Sequence, residues 1–152
     1  MSIDKVKEYF AEFGISERVI EFQTSSATVD LAAGALNCAP ERIAKTLSLG
    51  LKKHSRNVLV VTAGDAKIDN AKFKAHFGEK AAMLSPGEAE GITGHAIGGV
   101  CPFAINEGVE IFLDISLKRF DTVFPACGSS NSAIELTIAE LEKYAKCTHW
   151  MY

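Results

Sequence analysis

The sequence lacks most of the signatures by which a protein announces its chemistry. Its 152 residues carry 16 Lys and Arg against 19 Asp and Glu, for a formal charge of −3 and a pI near 5.8. That balance lacks the positive excess of a protein that coats nucleic acid without regard to sequence. No DNA partner is expected, while local contact with one RNA end stays open. No apolar run approaches the roughly 20 residues that a membrane-spanning helix needs, and Met1 leads into a charged amphipathic segment rather than an apolar signal region. These absences point to a cytoplasmic chain with no membrane partner. Cysteine is sparse and scattered, at Cys38, Cys101, Cys127 and Cys147, with no C-x-x-C pair. A core of this size does not depend on disulfides, so reduced, mostly buried thiols are expected. His54, His76, His95 and His149 show no zinc-site spacing. Neither a metal nor any other cofactor is implied. Missing too are a G-x-S-x-G elbow, a G-x-x-x-x-G-K-[ST] phosphate loop and a dinucleotide fingerprint.

What is present describes a folded domain. Apolar residues make up 47% of the chain and charged residues 23%, and the length suits a single domain over 1–152. "SIDKVKEYFAEFG" predicts a helix capped by Ser2, with Val6, Tyr9, Phe10 and Phe13 on one face and Gly14 closing it. "RVIEF" reads as a short strand and "TVDLAAGALN" as a helix capped by Thr28. "APERIAKTLSLGL" passes from a turn opened by Pro40 into a strand over about 44–51. "NVLVVTAG" is the clearest buried strand, being β-branched and aliphatic up to a glycine turn. "DNAKFKAHFG" is a helix between an Asp69 cap and Gly78, and "SPGEAEGITG" a shorter one with Pro86 in its first turn. "VEIFLDISL" and "DTVFPACG" are strands, and "CTHWMY" a final short one. In "AIELTIAELEKYA" the T-x-x-E pair Thr137 and Glu140 marks the passage from strand to helix. Strands and helices mix without a strict βαβ rhythm, which predicts an α+β domain around a curved mixed sheet.

Two places interrupt this pattern in ways that bear on chemistry. Lys45 stands in the apolar run "RIAKTLSL". It either snorkels to water or presents an ammonium to a ligand. "TGHAIGGVCPF" sets Gly94, Gly98 and Gly99 ahead of Pro102. That is either a bulge and turn, or a loop whose main chain comes close to a ligand. Cys101 and Cys127 lie in glycine-containing loops and read as small packing residues rather than nucleophiles. The basic groups Lys52, Lys53 and Arg56, and Lys67, Lys72 and Lys74, read as solvated faces.

The segments "ERIAKTLSL", "VVTAGDAKIDNAKF", "LSPGEAEGITGHAIGGVCPF", "VEIFLDISL" and "ACGSSNSAIELTIAEL" stand in the order and at the spacing of the YbaK/prolyl-tRNA synthetase-associated domain family. The chain resembles that family over nearly its whole length. The resemblance implies a barrel-like, strongly curved mixed β-sheet flanked by helices. It also implies an activity that removes wrong amino acids from transfer RNA, chiefly the proline-accepting kind. Some members are inserted in prolyl-tRNA synthetase, and this chain, with no room for a synthetase core, looks like a free-standing one. No cofactor is implied. The implied partners are the acceptor end of an aminoacyl-tRNA and, for docking, an aminoacyl-tRNA synthetase.

By the same resemblance the family's lysine falls on Lys45 and its G-x-x-x-P loop on Gly98 through Pro102. The ester joining an amino acid to the terminal ribose is intrinsically labile. Positioning the ester, a water and the neighbouring ribose hydroxyl therefore supplies most of the required acceleration. Lys45, Gly98 and Gly99 take the catalytic roles. Main-chain groups from Gly98 to Cys101 stabilise the developing oxyanion or orient water, and Pro102 stiffens the loop. Thr46, Val100, Cys101 and Pro102 are substrate-binding, as are Gly128, Ser129 and Ser130 in a second loop. The family commonly follows that second glycine with basic residues. The serines here weaken the case for a phosphate grip and either hydrogen-bond a small polar aminoacyl group or form an ordinary turn. His95 is a secondary RNA contact. Two rivals stay open: a non-catalytic module that binds aminoacyl-tRNA or a synthetase, and a hydrolase of other small aminoacyl esters.

Overall fold

The computed structural model describes residues 2–151 apart from Ala27, Lys52, His54, Ala81, Ile97, Cys147 and Thr148, with the backbone alone at Ser2, His149 and Met151. The expected Ser2 side-chain cap, the Lys52 charge, and the Cys147 thiol thus lie outside the described residues. In chain order the elements are α1 (Ser2–Ala11), β1 (Ile20–Glu21), α2 (Val29–Leu36), β2 (Ile43–Leu51), β3 (Arg56–Ala63), α3 (Asn70–Phe77) and α4 (Pro86–Thr93). They continue with β4 (Val109–Asp114), β5 (Thr122–Pro125), β6 (Ser132–Ala133), β7 (Leu136–Thr137), α5 (Ile138–Tyr144) and β8 (His149–Met151).

Six strands form a mixed sheet in the order β7-β5-β2-β3-β4-β8, while β1 and β6 pair separately. β2 and β3 are an antiparallel pair, in register from Ala44 opposite Ala63 to Leu51 opposite Arg56. β2–β5, β3–β4 and β4–β8 are parallel, and β5–β7 antiparallel. The sheet curls into a half-barrel with helices around it, the α+β class expected.

The central hairpin explains why "VLVV" is apolar without alternation. Leu59, Val61 and Ala63 pack with Val6 and Phe10 of α1 and Leu141 of α5. Val58 and Val60 point to the opposite face, against Phe73 and Phe77 of α3. Helices cover both faces, so every side chain from Val58 to Ala63 is buried. Full burial of Phe10 alone stabilises the fold by about 1.5–3 kcal/mol. A third cluster joins Ala32 and Ala33 of α2 to Ile43 and Phe124, the small alanines letting the helix lie close to the sheet.

Side-chain caps fix the helix starts. Thr28 Oγ1 accepts from Leu31 N at 3.2 Å, and Asp69 Oδ1 from Lys72 N at 3.0 Å. Ser85 with Glu88 and Thr137 with Glu140 form reciprocal capping boxes on α4 and α5. Each cap is worth about 1 kcal/mol. Two boundaries depart from expectation: α1 ends at Ala11, short of the predicted Phe13, and "VEIFLDISL" is a strand only as far as Asp114. There Asp114 Oδ2 accepts from Ser116 N at 3.0 Å and opens a 3₁₀ turn, Ile115–Arg119. The local side-chain bond outcompetes continued pairing.

β2 positions the site. One edge pairs with β3 throughout, but the other is covered only at its two ends. Ile43 and Ala44 pair with β5. Further along, Leu84 N donates to Ser48 O at 3.0 Å and Gly50 N to Ala82 O at 2.9 Å. Between these stretches, at 45–47, the strand edge is open.

Candidate active site

The open edge gives onto a cavity of about 340 Å³. Consecutive residues of β2, from Ile43 to Ser48, line it because it meets the strand edge-on rather than across one face. The opposite walls are the cap residue Thr28 with Val29 and Ala32 of α2, Gly98 and Val100 from the glycine loop, and Phe124 of β5 with Ala126 just after it. Ser26, Met83, Ser132 and Ala133 complete the lining. Met83 is 60% exposed, a large apolar side chain at the mouth.

Lys45 is half-buried, and its Nζ donates to Gly64 O at 3.4 Å. Gly64 N donates to Glu41 O at 3.4 Å, and the residue packs so closely on the turn Pro40–Arg42 that a Cβ on it would lie 2.1 Å from Pro40 O. Burial lowers the Lys45 pKa below the ordinary lysine value, with Lys67 acting in the same sense and Asp65 opposing. Asp65 is itself gripped by Arg119, at 2.5 and 3.0 Å. The arrangement holds a cation at the cavity wall without a carboxylate hydrogen-bonded to it among the described residues.

Beside it, Thr46 Oγ1 is buried with no hydrogen-bond partner among the described residues. Two residues on, Ser48 is 2% exposed and also lines the cavity. Ser132, 1% exposed, accepts from Ser129 Oγ at 2.7 Å across the cavity's far wall. With Ser26, bonded to Ser130 O, and Thr28, which caps α2, five hydroxyl side chains line a chamber that is otherwise mostly apolar.

The glycine loop answers its two structural demands with two different glycines. Gly98 has φ +91°, a conformation that side chains rarely adopt, and it faces the cavity. Gly99 is packed against the second loop: a Cβ there would meet Ser129 N at 2.7 Å and the Gly128 carbonyl carbon at 2.8 Å. The two loops therefore stack backbone on backbone. Behind them Cys101 is fully buried in the core beside Phe103, and burial pushes its thiol up to about 12. Cys127 is likewise buried and raised.

Of the residues singled out from sequence, Lys45, Thr46, Gly98 and Val100 come together on the cavity. Gly99, Cys101 and Pro102 lie behind its wall, and Gly128, Ser129 and Ser130 form the backing that Gly99 packs on or lead away from it. Ser130 O reaches instead to the mouth, accepting from Ser26 N at 2.6 Å. His95 is not an RNA contact through its ring. It is fully buried, and its Nε2–H donates to Phe103 O at 2.7 Å, so the loop closes over it. Burial lowers its pKa, which keeps the ring neutral. In the basic groups, Arg56 is paired by Glu110 at 2.6 and 2.8 Å.

Sequence reasoning missed Ser48, Ser132 and the α2 wall. Thr46 and Ser48, polar at i and i+2 in an apolar strand, carried a readable signal. Ser132 had none, since it reaches the cavity only because Gly128, at φ +90°, turns the chain back. Among the described residues no group of three His, Cys, Asp or Glu is placed to hold a metal, and no helix is long and apolar enough to cross a membrane.

Known proteins resemble this chain at several distances. The chain is 51% identical over 151 residues to YwhH, an uncharacterized protein of Bacillus subtilis (strain 168), covering 99% of this chain and 96% of that one. It is 26% identical over 106 residues to the multifunctional Ser/Thr-tRNA deacylase ProXp-y of Escherichia coli (strain K12), covering 68% of this chain and 62% of that protein. Among solved structures, one described as a candidate trans-editing enzyme for prolyl-tRNA synthetase superposes with a TM-score of 0.86 at 26% identity, over 97% of this chain and 94% of the other. The model of the aminoacyl-tRNA editing domain matches residues 24–144, from just before Ser26 at the cavity mouth, through β2 and both glycine loops, to the last residue of α5. With the lysine, the open strand edge and both loops inside that match, the chain belongs to the aminoacyl-tRNA editing domain family.

Proposed function

We propose that the protein is an aminoacyl-tRNA deacylase that acts in trans, in the cytoplasm, on a transfer RNA mischarged with a small amino acid. That RNA is the proline-accepting one or another carrying such a residue. The observation that carries this reading is the convergence of Lys45, Thr46 and Gly98 on one cavity. Its volume, about 340 Å³, lies at the low end for small-molecule sites and suits an aminoacyl group with part of its ribose. The hydroxyls of Thr46, Ser48 and Ser132 favour a side chain that hydrogen-bonds, such as that of serine or threonine. The name of the Escherichia coli relative, a Ser/Thr-tRNA deacylase, supports the same choice.

The chemistry asks little of any single side chain. Water attacks the ester carbonyl, the bond to the ribose oxygen breaks, and that oxygen takes a proton, leaving free amino acid and an intact RNA end. Lys45 contributes positive charge beside the reacting ester or on the terminal phosphate. Main-chain groups at Gly98 orient the water or the ester, a preorganised arrangement that costs nothing to assemble during reaction. The neighbouring ribose hydroxyl assists the water. Gly99 and the second loop hold the wall in place. Buried Cys101 and Cys127 stay out of the chemistry.

The test is a deacylation panel. Purified protein is incubated with tRNAs bearing alanine, cysteine, serine or threonine, and loss of the ester is followed above the spontaneous rate. Hydrolysis that collapses in Lys45→Ala, with folding unchanged, supports the proposal. Binding without turnover would replace it with a non-catalytic module, and turnover of short aminoacyl esters alone with a different hydrolase.

A further inference from the structure

We infer that the aminoacyl group is held by completing the β-sheet at the open edge of β2, pairing with the main chain of Thr46. The inference rests on the deacylase reading and deepens it. Antiparallel strands alternate, so that successive residues direct their N–H and C=O to opposite edges. Ser48 O and Gly50 N are taken by the 82–84 segment, on the edge away from β3. Thr46 shares their parity, so its N–H and C=O point to that same edge. There the β5 pairing has ended at Ala44 and the 82–84 pairing has not begun. No other main-chain group among the described residues takes them. Thr46 Oγ1 is also buried and unpartnered, a further unsatisfied polar atom of the same residue. Native proteins rarely leave such groups unpaired away from water. The gap is a binding site for something that can both donate and accept.

An aminoacyl ester offers that pair on the two sides of its α-carbon, the amino group on one and the ester carbonyl on the other. Its amino group donates to Thr46 O, and its ester carbonyl accepts from Thr46 N–H. Only an antiparallel alignment lets one residue exchange both bonds with one partner. That fixes the direction. The ester end lies toward Ala44 and β5, and the amino group points toward Ser48 and the 82–84 segment, which closes the edge. A substituent on the amino nitrogen runs into that closure, so the site selects amino acids with a free amino group over N-acylated ones.

The experiment compares wild-type cleavage of seryl-tRNA and N-acetyl-seryl-tRNA, each corrected for spontaneous hydrolysis, and adds the variants Thr46→Pro and Thr46→Ala. Proline removes the outward N–H, which β3 does not use, at a position where that side of β2 has no strand partner, and Thr46→Ala controls for loss of the hydroxyl; thermal unfolding followed by circular dichroism checks both variants. The N-acetylated substrate is expected to react at least about tenfold more slowly, and Thr46→Pro to fall at least about tenfold below Thr46→Ala in kcat/KM, the effect of losing one or two hydrogen bonds. If Thr46→Pro fails to fold, the two substrates on the wild-type protein decide. Equal rates on both substrates, or a folded Thr46→Pro matching Thr46→Ala, overturn the inference and leave the deacylase reading standing. Failure of the wild-type protein to cleave any charged tRNA removes both.

Discussion

Adding one methyl group at Gly99 tests whether the two glycine loops form a single rigid wall. The new Cβ would lie 2.7 Å from Ser129 N and 2.8 Å from both the Gly128 carbonyl carbon and Ser129 Cα. All three are backbone atoms, so no side chain can swing aside. Reaching ordinary contact at 3.4 Å requires the loops to part by about 0.7 Å. Overpacking of this kind costs about 1–3 kcal/mol, and at this chain length each kcal/mol lowers Tm by about 2–4 °C. Gly99→Ala is therefore expected to unfold about 4–8 °C earlier for a cost near 2 kcal/mol. Gly98 and Val100 move with the loop, and Ser129, the hydrogen-bond partner of Ser132, moves with the other. A misplacement approaching 1 Å costs on the order of 100-fold in rate, so kcat/KM should fall between 10- and 100-fold. Circular dichroism melting and the deacylation assay read the two effects. Gly91→Ala, in α4 with nothing within 4 Å of the added carbon, is the control and should raise stability by about 0.5–1 kcal/mol. An unchanged Tm and unchanged kcat/KM for Gly99→Ala would refute the stacked-loop reasoning.

Three further outcomes follow from the electrostatics and burial. Burial lowers the Lys45 pKa, so the ammonium is present at low pH and lost earlier than in a free lysine as pH rises. Enzymatic kcat/KM, net of spontaneous hydrolysis, should decline through that lowered pKa, and Lys45→Arg should move the decline to higher pH; a profile identical in the two proteins contradicts the role of the charge. Arg18 holds Glu140 at 2.8 Å and brings its pKa from the usual 4.5 down to about 2. That folded-state depression adds stability above pH 4.5 that fades as pH falls to about 2. The pair is partly exposed, so its advantage over Glu140→Gln in urea unfolding should be about 1–2 kcal/mol at neutral pH rather than the full shift, and a difference independent of pH would contradict it. Finally, Cys101 and Cys127 are free and buried, so iodoacetamide should leave both unmodified until the chain is unfolded, as peptide mass spectrometry would show. Rapid native alkylation of Cys101 would contradict its place behind the wall.

Periodicity and caps made most elements legible in the sequence. Thr28, Asp69 and Thr137 all cap the helices they predict, because capping is a local bond between neighbours in sequence. The error at Asp114 also has a local cause, an aspartate whose carboxylate satisfies Ser116 N and so ends the strand. The site was legible only in part. Lys45 stands out because a charge in an apolar strand is costly, and Gly98 because its φ excludes side chains. The division of labour between Gly98 and Gly99 was hidden, since it depends on a second loop about 30 positions away. The serines show the same limit. Ser129 and Ser130 were conspicuous in sequence, yet Ser132 is the one that reaches the cavity, and no sequence pattern encodes that turn. The open edge of β2 was equally invisible, because it is defined by where two other segments stop pairing.

The central claim is that the aminoacyl ester occupies the chamber between the open edge of β2 and the Gly98 loop. Backbone amide shifts during titration with a non-hydrolysable 3′-seryl-amido-adenosine would locate the ligand directly. The account predicts the largest changes at Lys45, Thr46, Gly98 and Val100. Changes concentrated elsewhere, such as the groove of Arg42, Arg119 and Thr122, with those four amides still, would contradict it.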